Sequence, residues 1–522
     1  MKPSDHSPRS SRRDFLRQSA CASLGAVGLV NALANLRLIT SAMAQSGPAQ
    51  GYKALVCLFL NGGNDANNLL VPTGDPATNP LRADYEHGRG VLAIPSARLY
   101  PLIVPSGTRA FALHHGGLVS SMGVHPAGGS LANLFNQGKL AFVSNVGTLA
   151  YPVPSRMDYI RGNVPLPLQL FSHADQQAQW QSSIPDRPFS SGWGGRAADL
   201  LHSSYNDPGE SKVSMSISLD GINSFQVGTT GAVVQYVVRP NIGTVPLNGF
   251  DSVQGDNDPY DFALNPDGSY KTNDASKRLK GFEDIMHLTH SNLHEEAYNR
   301  VVARARATES SVSAAIGAAA ASGIDFDAIF SIASGSLGDQ LKMVAKLIAG
   351  RSVLGNNRQI FFCQISGYDI HEAHLGCHWN LIGELSSGMQ AFHDALQALG
   401  VWENVTTFTA SDFNRSFTPN GSDPATAGSD HAWGGHTMVM GGAVHGGEIY
   451  GHFPSLKLGS AEGSIDTDSW RGTWIPDTSV DQYSAVLTSW MGVGSSEMEA
   501  IFPNLPRFDN PFSSSSTNLG FL

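Results

Sequence analysis

The stretch Gln359-Ile360-Phe361-Phe362-Cys363-Gln364-Ile365, closing on Ser366-Gly367-Tyr368-Asp369, decides the fold. Its apolar residues fall on both faces of an extended chain, so the strand it predicts is buried on both sides. A long helical pattern follows over residues 379–399, and a second apolar run, residues 405–410, ends at Ser411-Asp412. Strand, loop, long helix and strand make a βαβ unit, which requires parallel strands. Moving outward, residues 54–60 form another apolar run, and it opens into Asn61-Gly62-Gly63-Asn64-Asp65. Residues 131–137 read as a helix, and residues 140–146 read as a strand ending at Gly147. The expected fold class is α/β: a doubly wound, mostly parallel sheet.

The middle of the chain has a different texture. Residues 213–238 cluster β-formers and predict a small antiparallel addition, and residues 241–275 are rich in Gly, Asp, Asn and Pro. From residue 275 to about 321 the pattern is helical, with Leu279, Phe282, Ile285 and Met286 at core spacing. An inserted β/helical cap over about 205–335, within a single domain spanning 45–522, accounts for this.

The first 44 residues predict export. Ser11-Arg12-Arg13-Asp14-Phe15-Leu16 has the twin-arginine pattern, followed by a weakly apolar run and Ala42-Met43-Ala44, a small-residue cleavage site. The run is too short and too polar to span a bilayer. The translocase is then a partner during export, and the mature protein is expected to be periplasmic or secreted. The signal carries six basic residues against two acidic ones, so what remains is more acidic than the whole chain at −11. That charge excludes the basic face nucleic-acid binding requires. No later apolar run reaches membrane-spanning length. Cys57, Cys363 and Cys377 remain after cleavage, an odd number with no Cys-x-x-Cys, so neither a zinc ribbon nor a dithiol site is supported.

In parallel α/β sheets, ligands bind beyond the carboxyl ends of the strands. Asp65, Asp369 and Asp412 each follow a predicted strand. Their mutual repulsion calls for a cation or strong hydrogen bonds. His371, His374 and His378 accompany Asp369, and His431 and His436 lie beyond Asp412. Oxygen and imidazole donors on separate loops suit a divalent ion such as zinc, manganese or calcium. Asp and Gly also populate loops simply as turn formers. His371-Glu372-Ala373-His374 is one residue short of His-Glu-x-x-His, and neither a Gly-x-Ser-x-Gly elbow nor a phosphate-cradling glycine loop is present.

Five ordered blocks carry a family likeness. They are Leu58-Phe59-Leu60-Asn61-Gly62-Gly63-Asn64-Asp65-Ala66-Asn67-Asn68-Leu69-Leu70-Val71-Pro72, then Ser172-His173-Ala174-Asp175-Gln176-Gln177 with Trp180-Gln181, then Gly367-Tyr368-Asp369-Ile370-His371. Next come Ser411-Asp412-Phe413-Asn414-Arg415-Ser416-Phe417 through Gly428-Ser429-Asp430-His431, and a closing Arg471, Pro476 and Tyr483-Ser484-Ala485-Val486-Leu487. The chain resembles the family called domain of unknown function 1501, itself similar to the alkaline phosphatase and sulfatase superfamily. That resemblance implies a metal-supported hydrolytic site at the sheet's carboxyl edge. It offers Asp65, Asp369, His371, Asp412, His431 and His436 as metal ligands, and Ser172, His173 and Arg415 as catalytic residues. Ala373 stands where the superfamily spacing has a ligand, and Phe413 replaces the His of its Asp-His pair. Ser172 reads equally as a helix cap, with Asp175 three residues on.

Two functions follow as expectations. One is an exported metal-dependent hydrolase of phosphate or sulfate esters, with a small anionic ester as partner and Arg415 neutralising its oxygens. The other is a non-catalytic envelope protein that binds a cell-envelope component on the same scaffold.

Overall fold

The computed structural model describes residues 51–104, 111–113, 119–120, 123–124, 131–206, 213–230, 233–241, 243, 250, 260–265, 268–286, 308–333, 335–512 and 519–522. The signal pattern of residues 1–44 lies outside them. The main sheet is built from β1 (Lys53–Asn61), β2 (Leu140–Gly147), β3 (Ser216–Ser218), β4 (Tyr236–Val237), β5 (Arg358–Ser366), β6 (Val405–Ser411), β7 (Gly435–Gly441), β8 (Ile449–Tyr450) and β9 (Thr478–Ser479). Its order is β8-β2-β7-β6-β1-β5-β3-β4, with β9 also on β2. β1 lies parallel to both β5 and β6, with Leu58 opposite Cys363 and Thr409. Only β7 is antiparallel to its neighbours. The fold is therefore mixed α/β around a mostly parallel central sheet.

Alternation along β1 divides the interior in two. Ala54, Val56, Leu58 and Leu60 face a core shared with helices Gly335–Ala349 (α4) and His374–Ala398 (α5). Leu55, Cys57 and Phe59 face a second core, shared with Trp193–Tyr205 (α3) and Val480–Met491 (α6). Helices on both faces explain why the strands read as continuous apolar runs. Ser479 caps α6 with a complete Ser/Gln482 capping box.

Three expectations need correction. β3 and β4 do not form an antiparallel addition: they pair parallel with each other and extend the main sheet beyond β5. Clustered β-formers signal extended chain but not its direction, and residues 219–235 give the chain room to cross over. In the helix Asp274–Met286, Leu279 is buried but Ile285 is 57% exposed, so the core face is narrower than its spacing suggests. The helix after β5 begins at His374, five residues earlier than its pattern, and this draws two histidines into it. Among the described residues, no helix is long and apolar enough to cross a membrane.

Candidate functional site

The carboxyl ends of β1, β5 and β6 form one edge. Because β7 runs the other way, its beginning lies at that same edge. Two glycines let the edge loops touch. Gly62 has φ +116°, and a Cβ there would stand 2.4 Å from the Asp369 nitrogen. A Cβ on Gly428 would stand 1.9 Å from the His371 carbonyl carbon. Any larger residue at either position would push the Asp369–His371 loop away.

Three imidazoles and a guanidinium meet at one carboxylate oxygen. Asp369 Oδ1 lies 2.7 Å from Arg415 Nη1, 2.9 Å from His371 Nε2, 3.3 Å from His173 Nε2 and 3.4 Å from His431 Nε2. His431 Nε2 is also 3.1 Å from both His173 Nε2 and His371 Nε2. Two of the rings have the other nitrogen hydrogen-bonded. His173 Nδ1 donates to Asp412 Oδ2 at 2.7 Å, and His431 Nδ1 donates to the Phe171 carbonyl at 2.8 Å. His371 Nδ1 lies 3.4 Å from Asp430 Oδ1. A nitrogen that donates on one side leaves a lone pair on the other. His173 and His431 therefore turn Nε2 toward Asp369 Oδ1 and toward each other, with the three donor atoms all within 4.8 Å of one another, and His371 joins this cluster through Asp369 and His431. This is the usual arrangement around a metal, whose imidazole ligands donate their second N–H to a carboxylate or carbonyl.

The electrostatics differ from group to group. Burial would raise the Asp369 carboxyl, but hydrogen bonding and charge from Arg415, with His173 and His371, bring it below the usual range. The hydrogen bond to Asp412 raises His173 against its own burial. Burial lowers His431, favouring the neutral ring that coordination requires. Phe413 packs against both His173 and His431, with ring centroids 4.8 and 4.7 Å away. The residue that replaces the expected imidazole thus braces two others.

Asp412 is one bond behind this set. Its Oδ1 accepts from the Gly62 amide at 3.0 Å and its Oδ2 from Gln177 at 2.8 Å, so it orients His173. Asp65 belongs to a deeper group with His374 and His378, all three fully buried. Its Oδ2 accepts from Arg89 Nη2 and, at 2.6 Å, from His374 Nε2. Burial would raise Asp65, but the Arg89 charge and His374 hold it well below the usual carboxylate range. His436 is apart from both groups: it is buried, accepts the Asn145 amide on Nδ1 at 3.2 Å, stacks on Phe453, and is pushed by burial down to about 3. Ser172 precedes the helix His173–Ser182 (α2), but its hydroxyl donates to Asp175 Oδ2 at 2.6 Å rather than capping the helix or meeting an imidazole. Arg415 is buried and donates to Asp369, Gly62 and Ser429, so it holds the site together rather than facing a ligand.

His371 and His431 open onto a cleft of about 400 Å³ that is also lined by Tyr159, Asp430, Asp468 and Arg471. Arg471 is the one Lys or Arg among the cleft's described lining residues, and it lies 3.4 Å from Asp430 and 3.6 Å from Asp468. Sequence reasoning overlooked Arg89, Gln177 and Arg471. Gln177 had a signal, one helical turn after His173 on α2. Arg89 had none, since its partner Asp65 lies in a different loop.

Fold and site together define an α/β protein with a three-histidine, one-carboxylate cluster at the carboxyl edge of its sheet. The chain belongs to the family described as protein of unknown function (DUF1501), whose model matches residues 52–482. No curated protein and no solved structure matches it.

Proposed function

We propose that this protein is an exported metal-dependent hydrolase of small anionic esters, with one divalent ion held by His173, Asp369, His371 and His431. The observation that carries the reading is the convergence of three Nε2 atoms on Asp369 Oδ1, with His173 and His431 each hydrogen-bonded through the other nitrogen. The three distances joining His173, Asp369 and His431 are 3.1 to 3.4 Å. Donors about 2.0–2.1 Å from a tetrahedral zinc ion are spaced by about 3.3 Å, so these residues fit such an ion with little movement. Three imidazoles favour zinc or a similar transition ion over calcium, which prefers oxygen donors.

Such an ion, when bound, supplies Lewis-acid polarisation of a phosphoryl or sulfuryl oxygen. The protein supplies the rest. Arg471 in the cleft attracts the anionic ester, a role that fits it better than the fully engaged Arg415. Asp430 lines the same cleft outside the donor set, placed to carry the proton lost by the attacking water. In the overall step, the water oxygen bonds to phosphorus or sulfur and the bond to the alcohol oxygen breaks. The alcohol leaves with the proton. Ser172 has no part in this scheme. The twin-arginine pattern supports export in folded form, which suits a protein loaded with metal.

The Ser172 hydroxyl, bonded to Asp175, offers no serine nucleophile, and the alternative reading is a non-catalytic envelope binding protein on the same scaffold. Elemental analysis and a panel of phosphate and sulfate esters separate the two. About one transition ion per chain, ester turnover that survives Ser172→Ala, and loss of both ion and turnover in Asp369→Ala are expected for the hydrolase. A metal-bearing protein that binds esters without turning them over would establish the binding role instead. A folded wild type that takes up no ion would refute the metal centre.

A further inference from the structure

The deeper group also has the composition of a metal site, with Asp65, His374 and His378 close together. Its hydrogen bonds run the other way. His374 Nε2 donates to Asp65, and His378 Nε2 donates to Asn64 Oδ1 at 3.2 Å. The nitrogens that converge as lone pairs at the sheet edge are spent as donors here. Arg89 already neutralises the Asp65 carboxylate.

The bonds continue outward. Ser429 Oγ lies 3.2 Å from His374 Nδ1, which also faces the Ile370 carbonyl at 3.5 Å, and Arg415 Nε donates to Ser429 Oγ at 3.4 Å. Arg415 Nη2 donates to the Ser429 carbonyl, and Nη1 donates to Asp369 Oδ1 at 2.7 Å. Asp65, His374, Ser429 and Arg415 are all fully buried. Hydroxyl, imidazole and carboxylate are connected as in a nucleophilic triad. Yet the hydroxyl is sealed beneath Arg415 and out of reach of any ligand in the cleft, which leaves it a positioning role.

Building on the metal centre argued above, we propose that the Asp65–His374–Ser429 chain is a metal-free strut. It fixes Arg415, and through Arg415 holds Asp369 Oδ1 in front of the three imidazoles. Ser429 is then a positioning residue for the centre, and the chain takes one ion, not two.

The test uses cobalt(II) as the probe on the full folded protein: wild type, Ser429→Ala and His378→Gln. One cobalt per chain in wild type and in H378Q is expected. In S429A, roughly ten-fold weaker cobalt binding and a changed visible spectrum are expected, as is usual when a partner behind a metal ligand is removed. Unchanged affinity and spectrum in S429A would overturn the strut. Two ions in wild type, with one lost in H378Q, would overturn its metal-free character. A wild type that binds no cobalt would defeat the metal centre itself. Metal-free crystal structures of wild type and S429A decide the strut independently of that outcome. A reoriented Arg415 guanidinium in the variant supports it, and an unmoved Arg415–Asp369 contact overturns it.

Discussion

Two groups of histidines and carboxylates share one end of this sheet and resolve their charge in opposite ways. At the edge, Asp369 is 46% exposed and the imidazoles around it turn their Nε2 atoms inward. Behind it, Asp65 is fully buried, and the imidazoles around it turn N–H groups toward oxygen. At the edge Arg415 donates to Asp369 and leaves the Nε2 atoms of His173 and His431 facing each other, whereas in the inner group Arg89 and His374 both donate to Asp65. Both places combine imidazoles with one carboxylate and one guanidinium, three rings at the edge and two behind it. Which ring nitrogen donates distinguishes a ligand set from an internal ion pair.

The largest effect should come from breaking the inner group. Asp65→Asn removes the charge opposite Arg89 and leaves a guanidinium buried without compensation, a change that typically costs about 3–5 kcal/mol. Urea unfolding of the metal-free protein measures it. The pH dependence has a definite sign. The Asp65 carboxyl is held below its ordinary value, so its contribution is present above the unfolded-state pKa and disappears as pH falls through the folded one. The gap between wild type and D65N should therefore narrow in acid. An equal gap at all pH values would mean that Asp65 is not the ion-pair anchor.

The edge should respond to metal instead. Adding zinc to chelator-treated wild type at about a hundred times its dissociation constant should stabilise it by about 3 kcal/mol, since the ion binds only the folded state. His431→Ala should show no such rise in Tm, while Asp65→Asn, weakened but folded, should keep a reduced one, because the strut behind Asp369 is loosened but the ligands remain. A zinc response lost in D65N and retained in H431A would exchange the roles of the two groups.

The sequence carried most of the architecture, because each strand buried on both faces is a continuous apolar run and the loop after it is rich in Gly and Asp. It also pointed to Asp369, His371 and His431, which the structure brings together, because they sit in the loops that border buried strands. It could not separate Asp65 from Asp369. Both follow β-strands within Gly-rich loops and both pair with an arginine, Asp65 with Arg89 and Asp369 with Arg415; tertiary packing alone buries the first carboxylate and leaves the second half exposed. His436 was misjudged because it lies on β7 itself, facing Phe453, where a strand residue points into the core rather than over the edge. The direction of β3 and β4 was equally hidden, because pairing direction depends on the crossover and not on the strand's own residues.

A third buried carboxylate sharpens the contrast with a smaller effect. Asp481, on α6, is buried like Asp65 but has no guanidinium bonded to it, and burial raises it to about 7. Its sign is opposite to that of Asp65. Its stability contribution is complete below the unfolded-state pKa and is lost as pH climbs toward 7, because ionisation then has to occur in a dry site. Asp481→Asn should accordingly be about 2 kcal/mol more stable than wild type at pH 8 and no more stable at pH 4. Urea curves at the two pH values check this, and a variant equally destabilised at both would show that the carboxylate has a bonding role burial alone does not describe.

The smallest effect is the most discriminating between the two groups. His371 is 45% exposed and His374 is not exposed at all. In the metal-free protein, His371→Ala removes a ring whose neighbours are other edge groups open to water, so stability should change by no more than about 0.5 kcal/mol. His374→Ala leaves Asp65 and Ser429 without a buried partner and should cost several times as much. With zinc present the order of sensitivity reverses in binding: H371A should lose affinity directly, whereas H374A should lose it only through the displaced Arg415. Thermal melts of both variants with and without zinc give all four values. If H371A proved as destabilising as H374A without metal, the edge imidazoles would be structural, and the division between a ligand set and an ion-pair core would fail.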